Sequence, residues 1–184
     1  MDSAKWGDNV QQAVSGVQTL DTNYAATYYP WVKMYDPDTN QTIFVWEDMG
    51  SSSYGKCVLG TLSGGSYDAM TFGTVVTFES TAVDSCKVVY DTSNDKVVVI
   101  YRKTSTGYIF ARVGTVSGTD ISFGSSFVLA GGSVGTDPGG IDACFAAGSI
   151  NRVVVAFHNA GSGGGNYGNT CPYTHLRAHE TVLD

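Results

Sequence analysis

Apolar residues in this chain come in short runs separated by turn residues. The two densest runs are Val97-Val98-Val99-Ile100-Tyr101 and Val153-Val154-Val155-Ala156-Phe157. Neither alternates with polar residues, so each reads as a strand covered on both faces; a strand with one wet face would alternate. Around the first run the pattern predicts strands over 87–90, 96–102, 108–116 and 121–129, joined by turns at 91–95, 103–107 and 117–120. Upstream, 56–62 and 70–78 read as two strands, and downstream 143–147 and 152–158 read as two more.

These pieces repeat. Gly60-Thr61-Leu62-Ser63-Gly64 returns as Gly114-Thr115-Val116-Ser117-Gly118 after 54 residues, and Phe72-Gly73 returns as Phe123-Gly124 after 51. Lys96 to Tyr101 returns as Arg152 to Phe157 after 56 residues. A repeat of this length marks units that cannot bury their apolar faces alone and must stack on neighbours. The expected fold is therefore mainly β: an incomplete β-propeller-like array of about two four-stranded blades, in which Val97, Val99, Tyr101, Val153, Val155 and Phe157 are buried. Four or more blades are needed to close a propeller ring, so this chain is not expected to close one.

Before the repeats the period changes. Asp8 and Gln11 have the form of a capping box, and Val10, Ala13, Val14, Val17 and Leu20 follow at helical spacing, predicting a short helix over 9–20. Residues 31–35 and 41–46 read as a hairpin around the turn at 36–40, and 50–53 reads as a linker. The predicted divisions are 1–47 (helix and hairpin), 48–53 (linker), 54–170 (repeats) and 171–184 (a tail). The helix and hairpin are expected to form a separate, poorly packed unit, because an isolated hairpin is marginal in water.

Leu20-Asp21-Thr22-Asn23-Tyr24-Ala25-Ala26-Thr27-Tyr28-Tyr29-Pro30-Trp31-Val32-Lys33 and Asp36-Pro37-Asp38-Thr39 resemble an internal segment of contractile phage tail sheath proteins. The likeness covers about 8–45. Past it, Trp46-Glu47-Asp48-Met49-Gly50 stands where that family has a Pro-rich loop. The Gly-Thr-Val-Ser-Gly and Lys-Val-Val-Val signatures over 54–169 resemble blade-like repeats of phage tail and fibre proteins. Tyr173-Thr174-His175-Leu176-Arg177-Ala178-His179-Glu180-Thr181 is similar to what one frame of a transposon-end sequencing adapter encodes, so 171–184 is expected to be a non-native tail.

Composition narrows the partners. A formal charge of -7 removes the basic footprint that nucleic acid or an anionic membrane surface requires. No apolar run reaches the length that spans a bilayer. Cys57, Cys86, Cys144 and Cys171 are widely spaced and read as buried free thiols.

The candidate chemistry is thin. Cys171, His175 and His179 suggest the end of a zinc finger, but there is no second cysteine and no ββα pattern to complete it. Gly161 to Asn166 lacks the Lys-Ser/Thr and helix of a phosphate loop. Asp84, Asp91, Asp120, Asp137 and Asp142 fall in loops, where Asp commonly serves the backbone, and His158 has no nucleophile partner. Tyr24, Tyr28, Tyr29 and Trp31 read as core or interface contacts rather than a sugar platform. No catalytic, cofactor-binding or metal residue is assigned, and no cofactor is expected.

The resemblances imply a non-enzymatic virion tail protein, or a fragment of one. It would be made in the host cytoplasm, multimeric in the virion, and in contact with other tail proteins or with a host glycan or receptor. The alternatives are a carbohydrate- or receptor-binding module of a tail fibre and, third, a fragment of a propeller glycosidase.

Overall fold

The computed structural model describes residues 32–36, 38–61, 70–131, 140–149, 151–160 and 166–173; for 51, 159–160 and 166–173 the backbone alone is described. The predicted helix at 9–20, Tyr24, Tyr28, Tyr29 and Trp31 lie outside these residues, as do Asp137, Gly161 to Gly165, His175 and His179. Among the described residues there is no α-helix, and the chain is mainly β, as the apolar runs predicted.

The strands are β1 (Val32–Asp36), β2 (Gln41–Asp48), β3 (Tyr54–Thr61), β4 (Thr71–Phe72), β5 (Val76–Asp91) and β6 (Lys96–Lys103). They continue as β7 (Ile109–Ser117), β8 (Asp120–Phe123), β9 (Phe127–Ala130), β10 (Ile141–Ala146), β11 (Arg152–Ala160) and β12 (Asn166–Tyr173). All pairings are antiparallel.

They form three successive groups with the same plan. In the first, β1 pairs β2, β2 pairs β3, and β3 pairs both β4 and the start of β5. In the second, the end of β5 pairs β6, β6 pairs β7, and β7 pairs both β8 and β9. In the third, the order is β10-β11-β12. The registers coincide: Gly60 opposes Phe72 as Gly114 opposes Phe123, and Cys57 opposes Val76 as Ala111 opposes Phe127.

One strand joins the first two groups. β5 was expected as two separate strands ending at 78 and beginning at 87, but it runs unbroken through both and makes the first nine strands one curled sheet. It changes partner between Ala82, which opposes Tyr54 of β3, and Val83, which opposes Lys103 of β6. Just past that point its register with β6 slips between Asp84 and Lys87, where Ser85 has a φ of 51°, a bulge of the kind that sharpens strand twist.

The core lies between the groups. Ile43, Val45, Cys57, Leu59 and Phe78 of the first meet Val83, Cys86, Tyr90, Val97, Val99 and Tyr101 of the second. Val89, Val98, Ile100, Ile109 and Ala111, on the opposite face of the second, meet Ile141, Val153 and Val155 of the third. β6 is therefore covered on both sides, which is why its sequence does not alternate. Of the six residues expected inside, Val97, Val99, Tyr101, Val153 and Val155 are buried and Phe157 is half-buried.

Three expectations need correcting. The 50–53 stretch is no linker. It belongs to the tight connection of β2 to β3, with a 3-10 turn at Met49–Ser51, where the Asp48 side chain accepts from the Gly50 N–H, and positive φ at Ser52 and Ser53. The β1–β2 hairpin is neither separate nor poorly packed, because β2 pairs β3 over its whole length and buries Ile43, Val45 and Trp46. The repeats thus begin at β1 and not at Tyr54, and a domain boundary at 47/48 would cut one sheet in two. The boundary at 170/171 likewise falls inside β12, where Cys171, Pro172 and Tyr173 pair with Val155, Val154 and Val153.

Candidate functional site

The first two groups open with hairpins whose turns have one design. In the first, the Asp36 carboxylate accepts from the backbone N–H of Asp38 and Thr39 at 2.9 and 3.3 Å and from the Thr39 hydroxyl at 2.6 Å. In the second, the Asp91 carboxylate accepts from the N–H of Ser93 and Asn94 at 3.0 and 3.2 Å and from the Asn94 amide at 2.8 Å. An Asp that bonds its own backbone two residues on nucleates such a turn. Each turn closes on a residue of positive φ: Asn40 (56°), Asp95 (53°) and Asn151 (42°).

Stacking brings the turns together. The Tyr90 hydroxyl lies 2.8 Å from Asp38 Oδ2, in the first turn, and 2.5 Å from Asp95 Oδ1, in its own. Asp36, Asp38 and Asp95 each present a carboxylate oxygen within 4.8 Å of the others, with Asp36 buried and the other two exposed. Burial and the neighbouring carboxylates of Asp95, Asp38 and Asp36 push the Tyr90 phenol well above its ordinary value, so it serves as a donor. Between the second and third turns the contact is neutral, Ser93 Oγ to Asn151 Oδ1 at 2.7 Å, with Ser93 in the place of Asp38 and Asn151 in the place of Asp95. The donor set of the first junction, all carboxylate oxygen, is of the kind that suits a hard cation.

A second polar cluster closes the other end of the first junction. Glu79, on the first half of β5, accepts from the Tyr101 hydroxyl at 2.8 Å and the Thr81 hydroxyl at 2.9 Å. Lys103 Nζ lies 2.9 Å from it and Arg112 at 3.6 Å, while Lys103 also sits 4.5 Å over the Phe110 ring. Burial pushes the Glu79 carboxyl up, but the bonds from Lys103, Tyr101 and Thr81 outweigh it, leaving the group below the usual range. Phe78 packs edge-on against Tyr101 at 5.3 Å, separating this cluster from the apolar interior.

The acids singled out from sequence lie apart. Asp84 accepts from Arg102 Nε at 2.8 Å, Asp91 holds its turn, Asp120 is exposed at the start of β8, and Asp142 lies 3.8 Å from Lys87. The acids that do converge, Asp36, Asp38 and Asp95, were not among them as a group. Their signal was present in the sequence: Tyr35-Asp36 and Asn40 return as Tyr90-Asp91 and Asp95 after 55 residues, the same period as the strands. His158 is half-buried and engages Gly140 through its backbone N–H. Cys57 and Cys86 are buried free thiols, as expected, and burial pushes Cys57 up to about 12. Cys144, expected to be buried, is exposed, because it lies on the face of β10 turned away from the second group.

No protein-family model, curated protein or solved structure matches this chain.

Proposed function

We propose that this chain is a non-enzymatic structural protein of a phage tail, or part of one, and that its three groups of strands are blades of an incomplete β-propeller-like array used for assembly or surface contact. The observation that carries this reading is the stacking of successive turns: Asp38 and Ser93, at the same place in the first two hairpins, each reach into the next group, Asp38 to Tyr90 and Ser93 to Asn151. Asp36 and Asp91 hold turns, Glu79 ties two blades together, and Asp84 holds Arg102. The sheath-like and blade-like sequence signatures supply the tail assignment. Peptide mass spectrometry of virions purified from the source host tests it: recovery of this chain with the tail proteins is expected, and its absence from intact virions overturns the assignment.

A second reading, a carbohydrate- or receptor-binding module of a fibre, draws on Tyr35 and Tyr108, whose rings are 51% and 38% exposed. Exposed aromatic rings are suited to stacking on sugars. Specific binding on a glycan array that is lost in Tyr35→Ala or Tyr108→Ala would favour it.

A further inference from the structure

The two junctions inside the chain describe a third. The face that the second blade turns to the third is formed by Val89, Val98 and Ile100, all buried. One repeat later the corresponding positions are Cys144, Val154 and Ala156. Cys144 and Ala156 are exposed and Val154 is half-buried. Cys144 opposes Val154 in the register, so these side chains share one face of the third sheet.

At the other end, the face that the second blade turns to the first includes Tyr90, Val97 and Val99, all buried. Its counterparts on the first blade are Tyr35, Thr42 and Phe44. Tyr35 is 51% exposed, and Thr42 and Phe44 are partly so. Tyr35 is already set like Tyr90, with its hydroxyl donating to Asn40 Oδ1 at 2.7 Å as that of Tyr90 meets Asp95. Among the described residues, no preceding turn gives Tyr35 the group that Asp38 supplies to Tyr90. Counted back from the positive-φ residue that ends each turn, Asp38 and Ser93 correspond to Ser149, which is exposed on the third.

The charges on the two faces agree. Val32 and Val88 pack in one cluster at the first junction. Their repeat counterparts on the two end faces are Asp142, which stays 82% exposed although 3.8 Å from Lys87 of its own chain, and Lys33, which is exposed and opposite in sign to Asp142.

We infer that a second copy of this chain docks head to tail, the third sheet of one copy covering the turn end of the first sheet of the other, with Ser149 meeting Tyr35 and Asn40, and Asp142 meeting Lys33. The described residues of two chains supply six such sheets, within the four to eight that close a propeller, so the closed form of this contact is a two-fold ring of two chains. This deepens the array reading, and its test is independent of the tail assignment: a dimer of this kind from a chain missing from virions would remove the tail and leave the docking.

Sedimentation velocity on the full chain at low salt is expected to show a concentration-dependent dimer, with peptide-resolved maleimide labelling of Cys144 slowed as the dimer forms. Ala156→Glu, at an exposed position, should weaken association more than tenfold. Asp142→Lys and Lys33→Glu should each weaken it about threefold, as exposed ion pairs do. Mixing those two variants should restore dimer, because in a head-to-tail pair each junction then holds opposite charges. Circular dichroism, and continued protection of Cys57 and Cys86, show that the variants are folded. A monomer at every concentration, or a dimer indifferent to Ala156→Glu, overturns the proposal, as does a mixture no tighter than its components. Open-ended polymer overturns the two-chain ring.

Discussion

The Tyr90 hydroxyl reaches Asp38 Oδ2 at 2.8 Å across 52 residues of sequence, fastening the second group of strands to the turn of the first. Because Tyr90 is buried while its partner is exposed, the ring is anchored by packing and the hydroxyl supplies the specificity. Tyr90→Phe keeps the packing and removes the donor, and it should cost about 2 kcal/mol, the range for a bond to a charged group. Urea unfolding measures this. In an Asp38→Asn background the same change should cost less, since the pair is already weakened; an equal loss in both backgrounds would show that the two side chains are not coupled.

Much of the fold was legible because burial on both faces leaves a direct mark. Val97 to Tyr101 had to lie between two layers, and they do. The start of the array was less legible. The second strand of the first hairpin reads Gln41-Thr42-Ile43-Phe44-Val45-Trp46, with polar Thr42 where Lys96 to Tyr101 has Val97. One face of it meets the second group of strands, while the other carries Thr42 and Phe44, which are only partly covered. Position in the stack thus disguised a repeat whose turn, Tyr-Asp to Asn or Asp five residues on, was intact. The convergence of Asp36, Asp38 and Asp95 was hidden for a related reason: it is created by stacking two turns, and neither turn shows it alone.

Glu79 makes stability depend on acid. Its folded-state pKa is depressed, so its contribution is fully present above the unfolded value, about 4.3, and is lost as pH falls through the lower folded value. The urea midpoint should therefore drop steeply below about pH 4. Glu79→Gln should cost about 3 kcal/mol at pH 7, because it leaves Lys103 and Arg112 facing a neutral amide in a closed cluster. It should also flatten the acid limb of the curve. An unchanged acid limb would place the pH dependence elsewhere.

Glu47 acts in the opposite sense. Burial raises its pKa, a hydrogen bond with Ser53 lowers it in part, and Asp84 raises it further. A raised folded value means that its favourable contribution is present below the unfolded pKa and is lost as pH rises through the folded one. One of its oxygens, Oε2, is also buried without a hydrogen bond. Glu47→Gln removes the charge and nearly preserves the shape, so it should raise the unfolding midpoint at pH 7 and have little effect at pH 4. Destabilisation at pH 7 would mean that the charge is compensated.

Gly73 and Gly124 occupy equivalent places in the first two groups of strands, each donating its N–H to the strand before it: Gly73 to Leu59 O at 2.9 Å and Gly124 to Val113 O at 3.0 Å. Their surroundings differ. A Cβ on Gly73 would lie 2.1 Å from the Thr119 carbonyl oxygen, in the turn between β7 and β8 of the neighbouring group. A Cβ on Gly124 would meet nothing nearer than Val113 O at 3.8 Å. Neither residue has positive φ, so backbone strain is not the difference. The obstacle at Gly73 is backbone and cannot rotate away, so Gly73→Ala must push the two groups apart, at about 1 to 3 kcal/mol, the usual cost of overpacking. Gly124→Ala should be neutral or stabilise by up to about 1 kcal/mol, through the smaller entropy of the unfolded chain. Paired urea titrations of the two variants decide it. Equal effects would mean that the first group does not approach the β7–β8 turn of the second as closely as the stack requires, since only that approach distinguishes two glycines with the same place in the repeat.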